Sequence, residues 1–133
     1  MRVFLSHSRR DSGLVARTTA ALKILDTTAV ALEDLPGSRT VDEARKEIER
    51  QIRNSEIVFL LLTPNAVATV HTRTWIGHEV AVASGMGKKL AVFQEPGVAP
   101  TWPVTYWTDL VILSTDLGSR PIQMQKVVKV LKP

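Results

Sequence analysis

Glu56-Ile-Val-Phe-Leu-Leu-Leu-Thr63 places six large apolar residues in a row, and Pro64-Asn65 closes the run. A strand with one wet face alternates apolar and polar side chains. One without alternation is covered on both faces. The run is strand length and far too short to cross a bilayer. It therefore predicts the central strand of a parallel sheet held between two layers. Val3-Phe-Leu5 within Arg2–Ser6, and Leu90-Ala-Val-Phe93 within Lys89–Gln94, repeat the signal on a smaller scale. Thr27–Leu32 and Asp109–Leu113 complete five expected strands.

Helical spacing fills the gaps between them. Leu14, Val15, Thr18, Leu22 and Leu25 predict a helix over 12–25, with Asp11 or Ser12 as its N-cap. Thr40-Val-Asp-Glu43 fits a capping box. The helix it opens is expected to turn Val41, Ala44, Ile48 and Ile52 inward and to pair Asp42–Lys46 and Glu49–Arg53 outside. Residues 66–70 fit either a short helical turn or a loop. A third helix over 72–86 stops at Gly85 and Gly87. Ser119 with Pro121 opens the last helix, with Ile122, Val127, Val130 and Leu131 expected inward.

Alternating strands and helices specify an α/β fold: a three-layer sandwich, with a flavodoxin-like open parallel five-stranded sheet and helices on both faces. One domain over 1–133 is expected. Ligands of such sheets bind past the carboxyl ends of the strands. The loops expected there are 6–13, 33–40, 63–71 and 95–108, with the first two side by side. The last contains Trp102, Tyr106 and Trp107; one or two of them are read as sealing the sheet edge, with a partner surface as the other reading.

Composition removes several chemistries. Without cysteine there is no disulfide framework, thiolate zinc site or thiol nucleophile. The net charge of +4 raises the question of nucleic acid. Lys and Arg are scattered among acids, however, with no basic block carrying interleaved aromatics, so the charge reads as a solvated surface. Neither nucleic acid nor membrane is an expected partner. No apolar run is long enough to span a membrane and the N-terminus enters a strand at once, so a cytoplasmic location is expected. His71 and His78 are seven apart with no further ligand cluster, so no metal is expected. Gly85-Met-Gly-Lys-Lys89 follows a helix rather than opening one, the wrong context for a phosphate loop. Thr63-Pro64-Asn65 lacks the aspartate of a phosphoreceiver, and no G-x-S-x-G elbow exists.

One carboxylate stands out. In Thr72-Arg-Thr-Trp-Ile-Gly-His-Glu-Val-Ala-Val-Ala-Ser-Gly85, Glu79 shares a helix stripe with Trp75 and Val82, beside the apolar stripe of Ile76, Val80 and Ala83. An acid there must be paired, wet at a cavity, or raised in pKa. Functional sites meet these conditions, and so do capped structural acids.

Three segments in this order resemble the TIR domain family. Val3-Phe-Leu-Ser-His-Ser8 with Asp11 resembles its opening strand and polar loop. Leu32-Glu-Asp-Leu-Pro-Gly37 before a charged helix, with Ile57-Val-Phe-Leu-Leu-Leu-Thr-Pro64, resembles its BB loop, second helix and third strand. Trp75-Ile-Gly-His-Glu79 resembles the WxxxE pattern of members that cleave NAD. The likeness runs from 2 to 95 and is only architectural beyond.

It implies an NAD+ nucleosidase that yields ADP-ribose or a cyclic isomer, with NAD+ as substrate and no cofactor. Glu79 is then the catalytic carboxylate. Ser6, His7, Ser8 and Arg9 meet the phosphates or ribose; Asp34, Gly37, Ser38 and Arg39 cover the nucleotide; Trp75 packs at the nicotinamide end or fixes the helix. His7-Ser8 stands where some eukaryotic members carry Tyr-Arg, which points to a microbial defence or signalling branch. Partners implied are other TIR domains in a homotypic assembly and a sensor or effector protein. Two other readings stay open: a non-catalytic TIR adaptor that keeps Glu79 for structure, and a nucleoside deoxyribosyltransferase, which should carry further acids near the base.

Overall fold

Ile57–Leu62 is a strand in which every residue is buried, as a run without alternation requires. The computed structural model describes residues 1–31, 40–95, 98, 110–114 and 120–131, with the backbone alone for 110–114, 120, 121 and 131. The strands are β1 (Arg2–Ser6), β2 (Thr28–Val30), β3 (Ile57–Leu62), β4 (Lys89–Gln94) and β5 (Leu110–Ser114). They form one sheet in the order β2-β1-β3-β4-β5. Every neighbouring pair is parallel. The helices are α1 (Ser12–Lys23), α2 (Val41–Arg53), α3 (Val70–Gly85) and α4 (Arg120–Leu131).

Strand alternation divides the core into two layers. Phe4, Val58, Leu60, Leu62, Leu90 and Val92 face α2 and α3, where Ile48, Ile52, Ile76, Val80 and Ala83 meet them. Val3, Leu5, Ile57, Phe59, Leu61, Ala91 and Phe93 face the other way, onto Leu14, Val15 and Leu22 of α1 and Met124 and Val128 of α4. Phe59 and Phe93 pack there at 4.9 Å between ring centroids with a 60° tilt, a favourable aromatic arrangement.

Several expectations are corrected at the helix surfaces. Val41 is 58% exposed: it is the first residue of α2, a position before the face that docks, and Ala44, Ile48 and Ile52 do the docking. In α4, Ile122 and Val130 are exposed, Met124 and Val128 are buried, and Val127 is partly buried. The inward stripe is therefore the i,i+4 pair Met124–Val128, one of two that an apolar helix of this composition offers. Neither Asp42–Lys46 nor Glu49–Arg53 is an ion pair among the described residues; Glu47 and Arg50 pair instead at 2.6 Å. Of the capping box, Thr40 is present, its Oγ1 accepting from Glu43 N at 3.1 Å. Residues 65–67 form a single 3-10 turn before α3. Gly87, at φ +68, ends α3 in the left-handed region that favours glycine.

This strand order reverses direction between β1 and β3. There the connection from β1 leaves toward β2 and the rest of the chain builds the opposite way, opening a crevice at the carboxyl edge.

Candidate active site

The crevice is flanked by the end of β1 and by α3. Thr69 caps α3, its Oγ1 accepting from Thr72 N at 3.2 Å, and Ile76, Val80 and Ala83 press the helix onto the sheet. Glu79 precedes Val80 and so sits at the flank of the docked face. Ser6 ends β1 on the same face as Phe4, which faces α3. It is fully buried. The fold thus brings Ser6 and Glu79 together from positions 73 residues apart in sequence.

Glu79 as a residue keeps some accessible surface, but its Oε2 is out of reach of water and has no hydrogen-bond partner. Burial raises its pKa from the ordinary 4.5 to about 8, and the Ser6 hydroxyl opposes the rise. Ser6 Oγ is itself buried without a partner of proper hydrogen-bond geometry, so its influence is that of a nearby dipole. A buried carboxyl oxygen without a partner of proper geometry costs stability.

The other expected residues distribute unevenly. Ser8 is buried, but its hydroxyl accepts from Arg10 N at 3.2 Å and caps the 3-10 turn Arg9–Asp11. His7 lies with Nδ1 3.0 Å from Leu5 O; a carbonyl only accepts, so Nδ1 donates. Arg9 is exposed. Trp75 is partly buried against the α2–α3 core and stands edge-on between His71 and His78, with ring centroids 6.4 and 6.2 Å away. His78 Nε2 is also buried without a partner. Asp34, Gly37, Ser38 and Arg39 lie outside the described residues, as do Trp102, Tyr106 and Trp107.

Sequence reasoning missed two ties at this edge. Asp11 occupies the N-cap position of α1 but makes no cap bond with its side chain. Its carboxylate crosses to the end of β3, accepting from Thr63 Oγ1 at 2.5 Å and from Asn65 Nδ2 at 2.9 Å. The second tie is Gln94, whose Nε2 donates to Val98 O at 2.6 Å. The local pattern suggests a cap at Asp11; only the pairing of β1 with β3 reveals its real partners.

Chemically, the arrangement offers one carboxyl in a water-poor place and a hydroxyl opposite it. A carboxylate so placed can stabilise a developing positive charge. In its protonated form it can donate to a leaving group. Among the described residues no group of three or more His, Asp or Glu could hold a metal ion, and no helix is long and apolar enough to cross a membrane.

Among solved structures the chain is similar to a CMP N-glycosidase, BcmB, from Clostridium botulinum, at 14% identity and a TM-score of 0.67 over 94% of this chain and 99% of that one. It is also similar to the TIR domain of the Toll-related receptor TRR-2 from Hydra magnipapillata, at 13% identity and a TM-score of 0.65 over 98% of each chain. A 3-dehydroquinate dehydratase-like protein from Bifidobacterium longum comes next at 12% and 0.55, over 100% of this chain and 99% of that one. Likenesses at such identities concern the fold. None of the curated proteins matches the chain in sequence. The model of the TIR domain family, in contrast, matches it from residue 3 to 116, across both strands of the crevice and the helix that carries Glu79. The chain belongs to the TIR domain family.

Proposed function

We propose that this TIR domain is an NAD+ nucleosidase with Glu79 as its catalytic carboxylate. The observation that supports this best is the water-excluded, unpartnered Oε2 of Glu79 facing Ser6 at the carboxyl edge beside the β1–β3 reversal. In the reaction the bond between ribose C1′ and the nicotinamide nitrogen breaks. Its electron pair stays on the ring, which leaves neutral. The ribose passes through an oxocarbenium-like state, whose positive charge the Glu79 carboxylate stabilises while holding the ribose hydroxyls. Water then adds to C1′ and loses a proton, giving ADP-ribose; attack by a nitrogen of the adenine instead gives a cyclic isomer. Ser6, His7, Ser8 and Arg9, with Asp34, Gly37, Ser38 and Arg39, bind the nucleotide, and Trp75 backs the nicotinamide end. The domain works in the cytoplasm, assembles with other TIR domains, answers to a sensor or effector partner, and serves microbial defence signalling; family membership supports this part.

A second reading has its own support. The raised pKa leaves Glu79 protonated at neutral pH, the state that suits expulsion of a base that leaves as an anion unless protonated. One of the similar structures is a nucleotide N-glycosidase by its description. The two readings have opposite pH dependence. A pyridinium leaving group needs the carboxylate, so kcat/KM rises with pH through about 8; a neutral pyrimidine needs the acid, so kcat/KM falls across the same range.

The test is nicotinamide release from NAD+ by concentrated purified protein, beside cytosine release from CMP, with Glu79→Ala and Glu79→Gln as controls. Release that both substitutions abolish, with folding intact by circular dichroism, supports the assignment. Release that survives them means Glu79 is the wrong residue.

A further inference from the structure

Asp11 is bonded on both sides of the carboxyl edge, through its backbone on one side and its side chain on the other. On its own side, its backbone N–H bonds Ser8 O at 3.0 Å, within the turn that continues from Ser6 through His7 and Ser8. On the far side, its carboxylate takes Thr63 Oγ1 at 2.5 Å and Asn65 Nδ2 at 2.9 Å. Thr63 Oγ1 in turn accepts from Ala66 N at 3.1 Å. Ala66 is fully buried in the same cluster as Ile76 and Val80 of α3. One continuous chain of bonds and packed atoms therefore runs from the segment of Ser6 to the helix of Glu79.

The sheet ladder alone does not do this. It pairs Ser6 with Leu60, but Thr63 and Asn65 lie beyond the last rung, where two loops diverge. Asp11 leaves the usual task of a residue at its position, which is to cap α1, in order to close that gap.

We propose that Asp11 is a positioning residue for the glycosidic reaction, holding the Ser6 loop and the α3 entry at the separation that sets Ser6 against Glu79. The role rests on the glycosidase reading above. Asp11 acts through geometry, without touching substrate. Displacements of about 1 Å in such a frame cost on the order of 100-fold in rate.

The shape of the tie permits a clean test. Asn at position 11 keeps both contacts: its Nδ2 donates to Thr63 Oγ1, and its Oδ1 accepts from Asn65 Nδ2. Ala removes both. Steady-state release of base is measured for wild type, Asp11→Asn, Asp11→Ala, Thr63→Val and the Asp11→Ala/Thr63→Val double variant, with the folded fraction set by circular dichroism. Asp11→Ala is expected to lose roughly 30- to 100-fold in kcat per folded molecule with a smaller change in KM. Asp11→Asn stays within about threefold of wild type, Thr63→Val falls in the same direction as Asp11→Ala, and the double variant is no worse than the worse single one.

The Asn65 side-chain amide reads the tie without substrate: its Nδ2 proton resonances shift in Asp11→Ala and stay in place in Asp11→Asn. Should Asp11→Ala fail to fold, Asp11→Asn and Thr63→Val carry the same comparison. The proposal falls if Asp11→Ala matches wild type per folded molecule, if Asp11→Asn is as slow as Asp11→Ala, if Thr63→Val turns over like wild type, or if the Asn65 side-chain amide is unaffected by Asp11→Ala. A wild type that releases no base removes the reaction and this role together. Turnover that is indifferent to Asp11 removes the role alone.

Discussion

Helices α2 and α3 lie on the same face of the sheet and begin in the same way, yet they treat acids oppositely. Each is capped by a threonine, Thr40 or Thr69. Each docks through three apolar residues: Ala44, Ile48 and Ile52 in one, Ile76, Val80 and Ala83 in the other. On α2 the acids stay at the surface, and Glu47 meets Arg50 there. On α3 the single acid, Glu79, is turned into a place where water does not reach its Oε2. Three side chains suffice to attach such a helix. At the flank of that docked face α3 carries Trp75, His78 and Glu79.

The contrast makes predictions, beginning with the largest. Glu79→Gln should lower base release by at least about 1,000-fold, near 4 kcal/mol in transition-state stabilisation, while the fold survives; removing Glu47 from α2 should leave release unchanged. Assays of both variants at equal folded concentration check this. If Glu47→Ala were as slow as Glu79→Gln, the division between the helices would not hold.

The docking faces come next. Ile52→Ala and Ile76→Ala each remove a residue of at most 1% exposure and should each cost about 2–5 kcal/mol by denaturant unfolding. A much smaller loss in α3 would mean that α3 is held by something other than its apolar face.

A third prediction concerns pH. Unfolded Glu79 ionises near its ordinary 4.5, whereas the folded protein keeps the proton up to about 8. Across that window the folded state binds more protons, so stability falls as pH rises from about 4.5 to about 8 and then levels off. Glu79→Gln removes this slope. It should match wild type near pH 4 and exceed it by about 1–3 kcal/mol at pH 8, as read from urea midpoints at several pH values.

Smaller effects complete the comparison. Thr40→Ala and Thr69→Ala should each cost about 1 kcal/mol, a shared cap with a shared value. Arg50→Ala should leave the thermal midpoint unchanged within error, because its pairing with Glu47 is open to solvent.

Legibility in sequence tracks the range of the interactions involved. β3 is readable because a run of six apolar residues can satisfy only a doubly covered strand, and α2 because its polar positions leave a single docking face. α4 misleads at Ile122 and Val130 because its apolar residues are spread around the helix, and the sheet alone selects Met124 and Val128. Glu79 is conspicuous as an acid in an apolar helix, but its counterpart Ser6 emerges only when β1 is placed beside β3. Asp11 is illegible for the same reason: Thr63 and Asn65 are more than fifty residues away, and a nearby helix start supplies a sufficient local explanation. Asp34, Gly37, Ser38 and Arg39 rest on the family pattern alone.

The strand order has a further consequence, for the time course of folding. β1 lies between β2 and β3, so the chain through Val30 can build only one side of its pairing. Val3, Phe4 and Leu5 must wait for Ile57–Phe59, more than fifty residues later in synthesis. Until then the nascent segment carries an apolar strand with one unpaired edge, a species prone to aggregation. Contacts of such long sequence separation also slow the search. The same central placement that gives the molecule its crevice therefore makes β3 the element on whose arrival productive folding depends.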